Sequence, residues 1–241
     1  MKGVLVMVSF CFFANTLFAQ KNTSYNNQQW VQYYNTIKFS DKFLLKTDGG
    51  YRKKNDFKNA SQYIVRLGVG YKIMPHMQVA AGFAHLGYYD NNDNINKLEY
   101  RPYQELLIND KYNFFKIQHR FRIEQRFFND EFRNYFFHRF RYRILFKIPI
   151  ADFSQKRKGS KLYLNLSDEL FIHAGEEIVY NVFGKNRAMI GTTFRLNNAI
   201  DFTLTYNSEF SSSNVSNKYS HTNVVWLGIK HTINVFDKKY H

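Results

Sequence analysis

Residues 116–128 read KIQHRFRIEQRFF, with Gln118, Arg120, Arg122, Glu124 and Arg126 on one parity and Ile117, His119, Phe121, Ile123 and Phe127 on the other. Period two is the repeat of a strand, whose successive side chains point to opposite faces; at 3.6 residues per turn these charges would scatter around an axis. A second such segment follows a short polar break: Phe136, His138, Phe140, Tyr142, Ile144 and Phe146 alternate with Phe137, Arg139, Arg141, Arg143, Leu145 and Lys147. Two neighbouring strands, each apolar on one side and arginine-rich on the other, predict a barrel wall with lipid outside and a polar lumen.

The start of the chain agrees with export. Met1-Lys2, an apolar run through Phe13 and a close on Ala19 have the layout of a secretory signal over residues 1–19, which carries away Cys11, the only cysteine. The run is too short to span a bilayer as a helix, and no later segment approaches the eighteen apolar residues a membrane helix needs. Any insertion must therefore use strands. A mean hydropathy of −0.48 does not oppose this, because alternating faces average out. The 18 Tyr and 25 Phe suit the aromatic girdles of such a barrel. The net charge of +15 first suggests nucleic acid, yet the basic residues alternate with Phe, Tyr and Ile inside strands instead of gathering on an arm or patch, so no nucleic-acid partner is expected.

Residues 20–29 are polar and Asn-rich and read as a flexible lead-in, leaving 30–241 for one barrel. Strand patterns follow over residues 30–39, 43–52, 62–71, 77–88, 98–108, the two arginine strands, 161–172, 187–196, 199–210 and 223–236. Inward glycines at 68 and 70 make room for large neighbours, and Pro102 predicts a bulge or strand end, since it cannot donate to a ladder. Connections alternate short and long, as periplasmic turns and outer loops do, with 149–159 as an exception. The segments number eleven, whereas single-chain bacterial barrels have even numbers. The expected fold is thus a single antiparallel, up-and-down, all-β transmembrane barrel of twelve strands, or else ten.

The runs Glu99-Tyr100-Arg101-Pro102-Tyr103-Gln104, His119 to Arg126 and Arg139 to Arg143, together with Glu169-Leu170-Phe171 and Asn186-Arg187, resemble an outer-membrane barrel family of Bacteroidota known as domain of unknown function 2490. The resemblance covers nearly all of the mature chain. It implies a barrel in the outer membrane of a Gram-negative bacterium and supplies no activity.

The polar parity, with Gln104 added from the other parity of its strand, defines a candidate lumen network of Glu99, Arg101, Gln104, Gln118, Arg120, Arg122, Glu124, Arg126, Arg139, Arg141, Arg143, Glu169 and Arg187. The same parity continues into Arg52, Arg66, Arg195, Asp48, Glu105, Asp201 and Glu209. Guanidinium–carboxylate pairing would make this a structural plug. The surplus of arginine also suits a narrow anion-selective channel or an anion-binding cavity, giving small anions as an alternative partner beside outer-membrane lipids. A lipid-modifying enzyme is a third reading, but neither His119 nor His138 has a serine two positions away on its strand, so no catalytic residue is assigned. The scattered histidines and absent glycine-rich loops give no metal or cofactor site. A soluble barrel with aromatics inside would need an apolar lumen, and detergent dependence would distinguish it.

Overall fold

The computed structural model describes residues 22–54, 57–155, 159–213 and 215–236; the signal segment and Cys11 lie outside them. Its elements are all strands: β1 (Asn22–Lys38), β2 (Phe43–Lys54), β3 (Asn59–Met74), β4 (Met77–Tyr89), β5 (Ile95–Lys111), β6 (Lys116–Asp130), β7 (Asn134–Asp152), β8 (Lys161–Ala174), β9 (Phe183–Arg195), β10 (Ile200–Ser212) and β11 (Lys218–Asn234). Consecutive strands pair antiparallel, and β1 closes on β11 to complete the barrel.

The expected twelve strands, or ten, are corrected to eleven among the described residues. With an odd number of up-and-down strands the first and last run the same way, so the seam must be parallel. β1 and β11 indeed pair in parallel over the full length of β1, from Asn22↔Lys218 to Lys38↔Asn234. This also corrects the lead-in. Residues 22–29 are strand because β11 offers their polar backbone a ladder that nothing in their own sequence predicts.

Following hydrogen-bonded partners once around the wall from Lys38, through Leu44, Gly70, Ala80, Glu105, Arg122, Arg141, Phe171, Lys185, Ser211 and Ser220, returns to Ser24 of the same strand. The wall is therefore sheared and its strands tilt steeply. The strands also run further than the sequence pattern suggests, so the connections at the two ends are of similar length and the expected asymmetry is largely absent. Residues 183–186, for instance, read as loop and belong to β9. Nor does Pro102 break β5. The ladder with β6 omits Arg101 and Pro102, then resumes at Tyr103↔Glu124 in the register it held at Tyr100↔Phe127.

Outward positions at mid-height carry aliphatic side chains such as Val65, Leu67, Val69, Ile190, Leu204 and Leu227, all about half exposed. Aromatic pairs gather toward the ends: Phe43–Tyr71 and Phe153–Phe194 at the end where β1 finishes, Tyr51–Tyr89, Phe127–Phe136 and Phe210–Tyr219 at the other. Inside, glycine admits bulk, as the sequence suggested. A Cβ on Gly82 would lie 2.5 Å from both the Leu67 carbonyl oxygen and the buried Tyr103 hydroxyl, and one on Gly68 would also lie 2.5 Å from that hydroxyl. Gly82→Val is expected to lower stability by about 1–3 kcal/mol, because the obstructing carbonyl belongs to the neighbouring strand and cannot step aside. Urea unfolding in detergent checks this, and an unchanged midpoint would contradict the packing described.

Candidate functional site

Charges crowd the lumen because the register repeats the sequence parity around the wall. Arg139 stands opposite Glu124, Arg141 opposite Arg122 and Arg143 opposite Arg120, all on the inward face, and Arg143 meets Glu169 on its other side. Like charges thus face each other at two of these three positions, and Glu124 of β6 is joined by carboxylates from β5, β8 and β10. Three of these are fully enclosed: Glu99 and Glu124 are 0% exposed and Glu169 is 1%.

Glu99 accepts from Arg101 Nε at 2.6 Å, Arg126 Nε at 2.6 Å and the Tyr88 hydroxyl at 2.5 Å. Glu124 accepts from Arg139 Nε and Arg141 Nη1, each at 2.6 Å, with Arg122 3.7 Å away. Arg141 turns its other edge to Glu169, with Nη2 at 2.6 Å, and Arg120 donates to the same oxygen. Arg187 links Glu169, at 3.6 Å, to Glu209, at 2.5 Å, where Lys185 also donates at 2.7 Å. Glu105 binds Arg122, with Lys46 at 3.4 Å. The result is a continuous ionic chain from Lys46 through Glu105, Arg122, Glu124, Arg141, Glu169, Arg187 and Glu209 to Lys185, with the Glu99 cluster beside it. Such burial is tolerable only where every carboxylate is multiply paired, since isolated charges out of water cost several kcal/mol each. Aromatic rings complete the packing: Phe171, 2% exposed, has the Arg141 guanidinium 4.5 Å from its ring centroid and Arg187 at 5.1 Å, while Arg52 sits 3.8 Å over Trp30.

The structure brings together Glu99, Arg101, Arg120, Arg122, Glu124, Arg126, Arg139, Arg141, Glu169 and Arg187 in this network. Gln118 and Arg143 lie on its edge, joined by a 2.7 Å bond from Arg143 to Gln118. Gln104 does not belong to it. Its parity points outward, and its side chain pairs with Gln125 there at 3.0 Å. Each amide on that face satisfies the other. Glu105 and Glu209, on the lumen parity already read from the sequence, complete the network with Lys46, Lys185 and Tyr88; Lys46 of β2 reaches Glu105 of β5 across the lumen, while the other contacts join adjacent strands.

No catalytic geometry emerges around His119 or His138. His119 Nδ1 lies 2.9 Å from the Tyr142 hydroxyl, and the His138 ring packs edge-on against Phe136. One serine–histidine pair does form on the outer wall, Ser208 Oγ with His221 Nε2 at 2.9 Å, which the sequence concealed because the partners lie on different strands. His221 Nδ1 has no hydrogen-bond partner, so the ring lacks the third group that would orient it as a base. Among the described residues no group of three His, Cys, Asp or Glu side chains could hold a metal ion.

The family model described as "Protein of unknown function (DUF2490)" matches residues 27–220. No curated protein matches the sequence. Among solved structures, the β domain of the Bordetella autotransporter BrkA is similar at 9% identity and a TM-score of 0.44, with 74% of this chain and 81% of that one covered. The Pseudomonas aeruginosa siderophore receptor PirA is similar at 12% identity and a TM-score of 0.31, with 72% of this chain covered but only 32% of the receptor.

Proposed function

We propose, from the premise that this chain belongs to the DUF2490 family, that it is a non-enzymatic outer-membrane barrel closed at mid-height by its own ionic network. The reading rests on one observation: the wall is inverted relative to a soluble protein, with enclosed carboxylates and guanidiniums inside and half-exposed Val65, Leu67, Val69, Leu204 and Leu227 outside. An apolar surface continuous around a barrel far exceeds what soluble monomers expose, and hydrocarbon is the solvent that suits it. The network then serves as a scaffold that fills the lumen and fixes the strands. Residues 1–19 direct export and are then removed, and lipids contact the outer wall.

The test combines location and conduction. The mature protein is expected in the outer-membrane fraction, with faster electrophoretic migration before heating than after, and to give no unitary steps in planar bilayers. Recovery as a detergent-free soluble protein would overturn the location. Sustained anion-selective steps would favour the alternative, a narrow channel, which the arginine surplus supports.

A further inference from the structure

Below the network, toward the end where β1 finishes, the balance of charge changes. Arg143 and Lys147 on β7 and Lys230 on β11 point inward, and among the described residues none has a carboxylate partner within ion-pair distance. Their strands are separated around the wall, yet Lys230 lies within electrostatic reach of Arg143 and Lys147, and Asp201 acts on both lysines. Arg195 is nearby but neutralised by Asp201 at 2.9 Å.

Three further details indicate an unmet need for negative charge. Arg143 donates from Nη2 to Gln118, but its Nε and the Nε of the facing Arg120 are both buried without an acceptor. The ammonium of Lys147 lies 4.1 Å over the Tyr163 ring, and Arg195 lies 5.6 Å from the same ring, so two cations are held against one aromatic side chain. Lys230, by contrast, remains exposed to water inside the wall. The space is therefore solvent-accessible and closed above by the network.

We infer that this blind vestibule is a binding site for a small oxyanionic solute, a phosphate or carboxylate, held between Arg143, Lys147 and Lys230. An oxyanion there would relieve the repulsion among cations that Asp201, already paired with Arg195, offsets only in part. The barrel wall separates the site from the bilayer, so a soluble ligand entering by the mouth fits it and a lipid headgroup does not.

The test is calorimetric titration of the detergent-folded protein with inorganic phosphate, and separately with citrate, at constant ionic strength maintained with chloride. Saturable binding is expected, at least tenfold weaker in the Lys147→Gln/Lys230→Gln double variant. It should be unchanged in Lys161→Gln, whose ammonium pairs with Asp152 at the exposed rim. Heat-modifiable migration confirms that each variant is folded. Should the double variant fail to fold, the wild-type protein must still gain thermal stability with phosphate beyond that given by equal ionic strength of chloride. Equal affinity in wild type and double variant, no saturable heat, or a chloride effect equal to that of phosphate would overturn the site.

Discussion

Replacing Glu124 with Gln is expected to lower the stability of the folded barrel by about 3–5 kcal/mol, the typical consequence of stranding one member of a buried ion pair. Glu124 is 0% exposed and serves Arg139 and Arg141 at once. Arg141 would keep Glu169, but Arg139 has no other carboxylate among the described residues. A glutamine oxygen can still accept a hydrogen bond and cannot neutralise a guanidinium, so the loss isolates the charge. Urea unfolding followed by tryptophan fluorescence reports it directly, since both tryptophans, Trp30 and Trp226, lie on the inward parity of the seam strands. Removing both partners as Glu124→Leu with Arg139→Leu should recover much of the loss, because a buried pair is often no better than apolar packing of similar volume. A single variant with an unchanged midpoint would mean that water screens Glu124, and the plug would give way to an open lumen.

Where a feature depended on parity alone, it could be read from the chain. The alternation of Arg139, Arg141 and Arg143 with Phe140 and Tyr142 assigned both faces of β7, because a strand exposes its pattern residue by residue. Closure could not be read so. Whether the wall has eleven strands or twelve depends on how β1 meets β11, nearly two hundred positions away, and the polar residues 22–29 carry no periodic signal to mark them as half of that seam. Gln104 shows a different limit. It sits within a run of inward charges, and polarity suggested the lumen when parity assigned the outer face. A residue between Tyr103 and Glu105, both inward, must point out, and mutual pairing with Gln125 makes that placement tolerable. The partners of Glu169 illustrate the rest: Arg187 stands directly opposite it on β9 and Arg141 on adjacent β7, but Arg120 reaches it from β6, two strands away, and no local pattern marks that contact.

Changing Ile123 to Lys is expected to destabilise the barrel in lipid by about 2–4 kcal/mol, the cost of a cation on the lipid face near the bilayer midplane. Ile123 is the residue before Glu124 and shares its ladder, facing Phe140 on the outer wall near the middle of β6. The backbone environment is therefore held nearly constant while the face is reversed, which makes the pair a direct comparison of the two sides of one wall. Depth supplies the control. Phe43, at the first residue of β2, lies in the aromatic band at the end of the barrel, where a lysine can extend its ammonium to the interface, and Phe43→Lys should cost about 0–1 kcal/mol. A water-facing exterior would make both substitutions mild, since an added surface lysine is solvated wherever it stands. Folding titrations in phospholipid vesicles on the two variants decide the matter: a steep difference between Ile123→Lys and Phe43→Lys requires hydrocarbon around the middle of the barrel, and equal, small effects would exclude it.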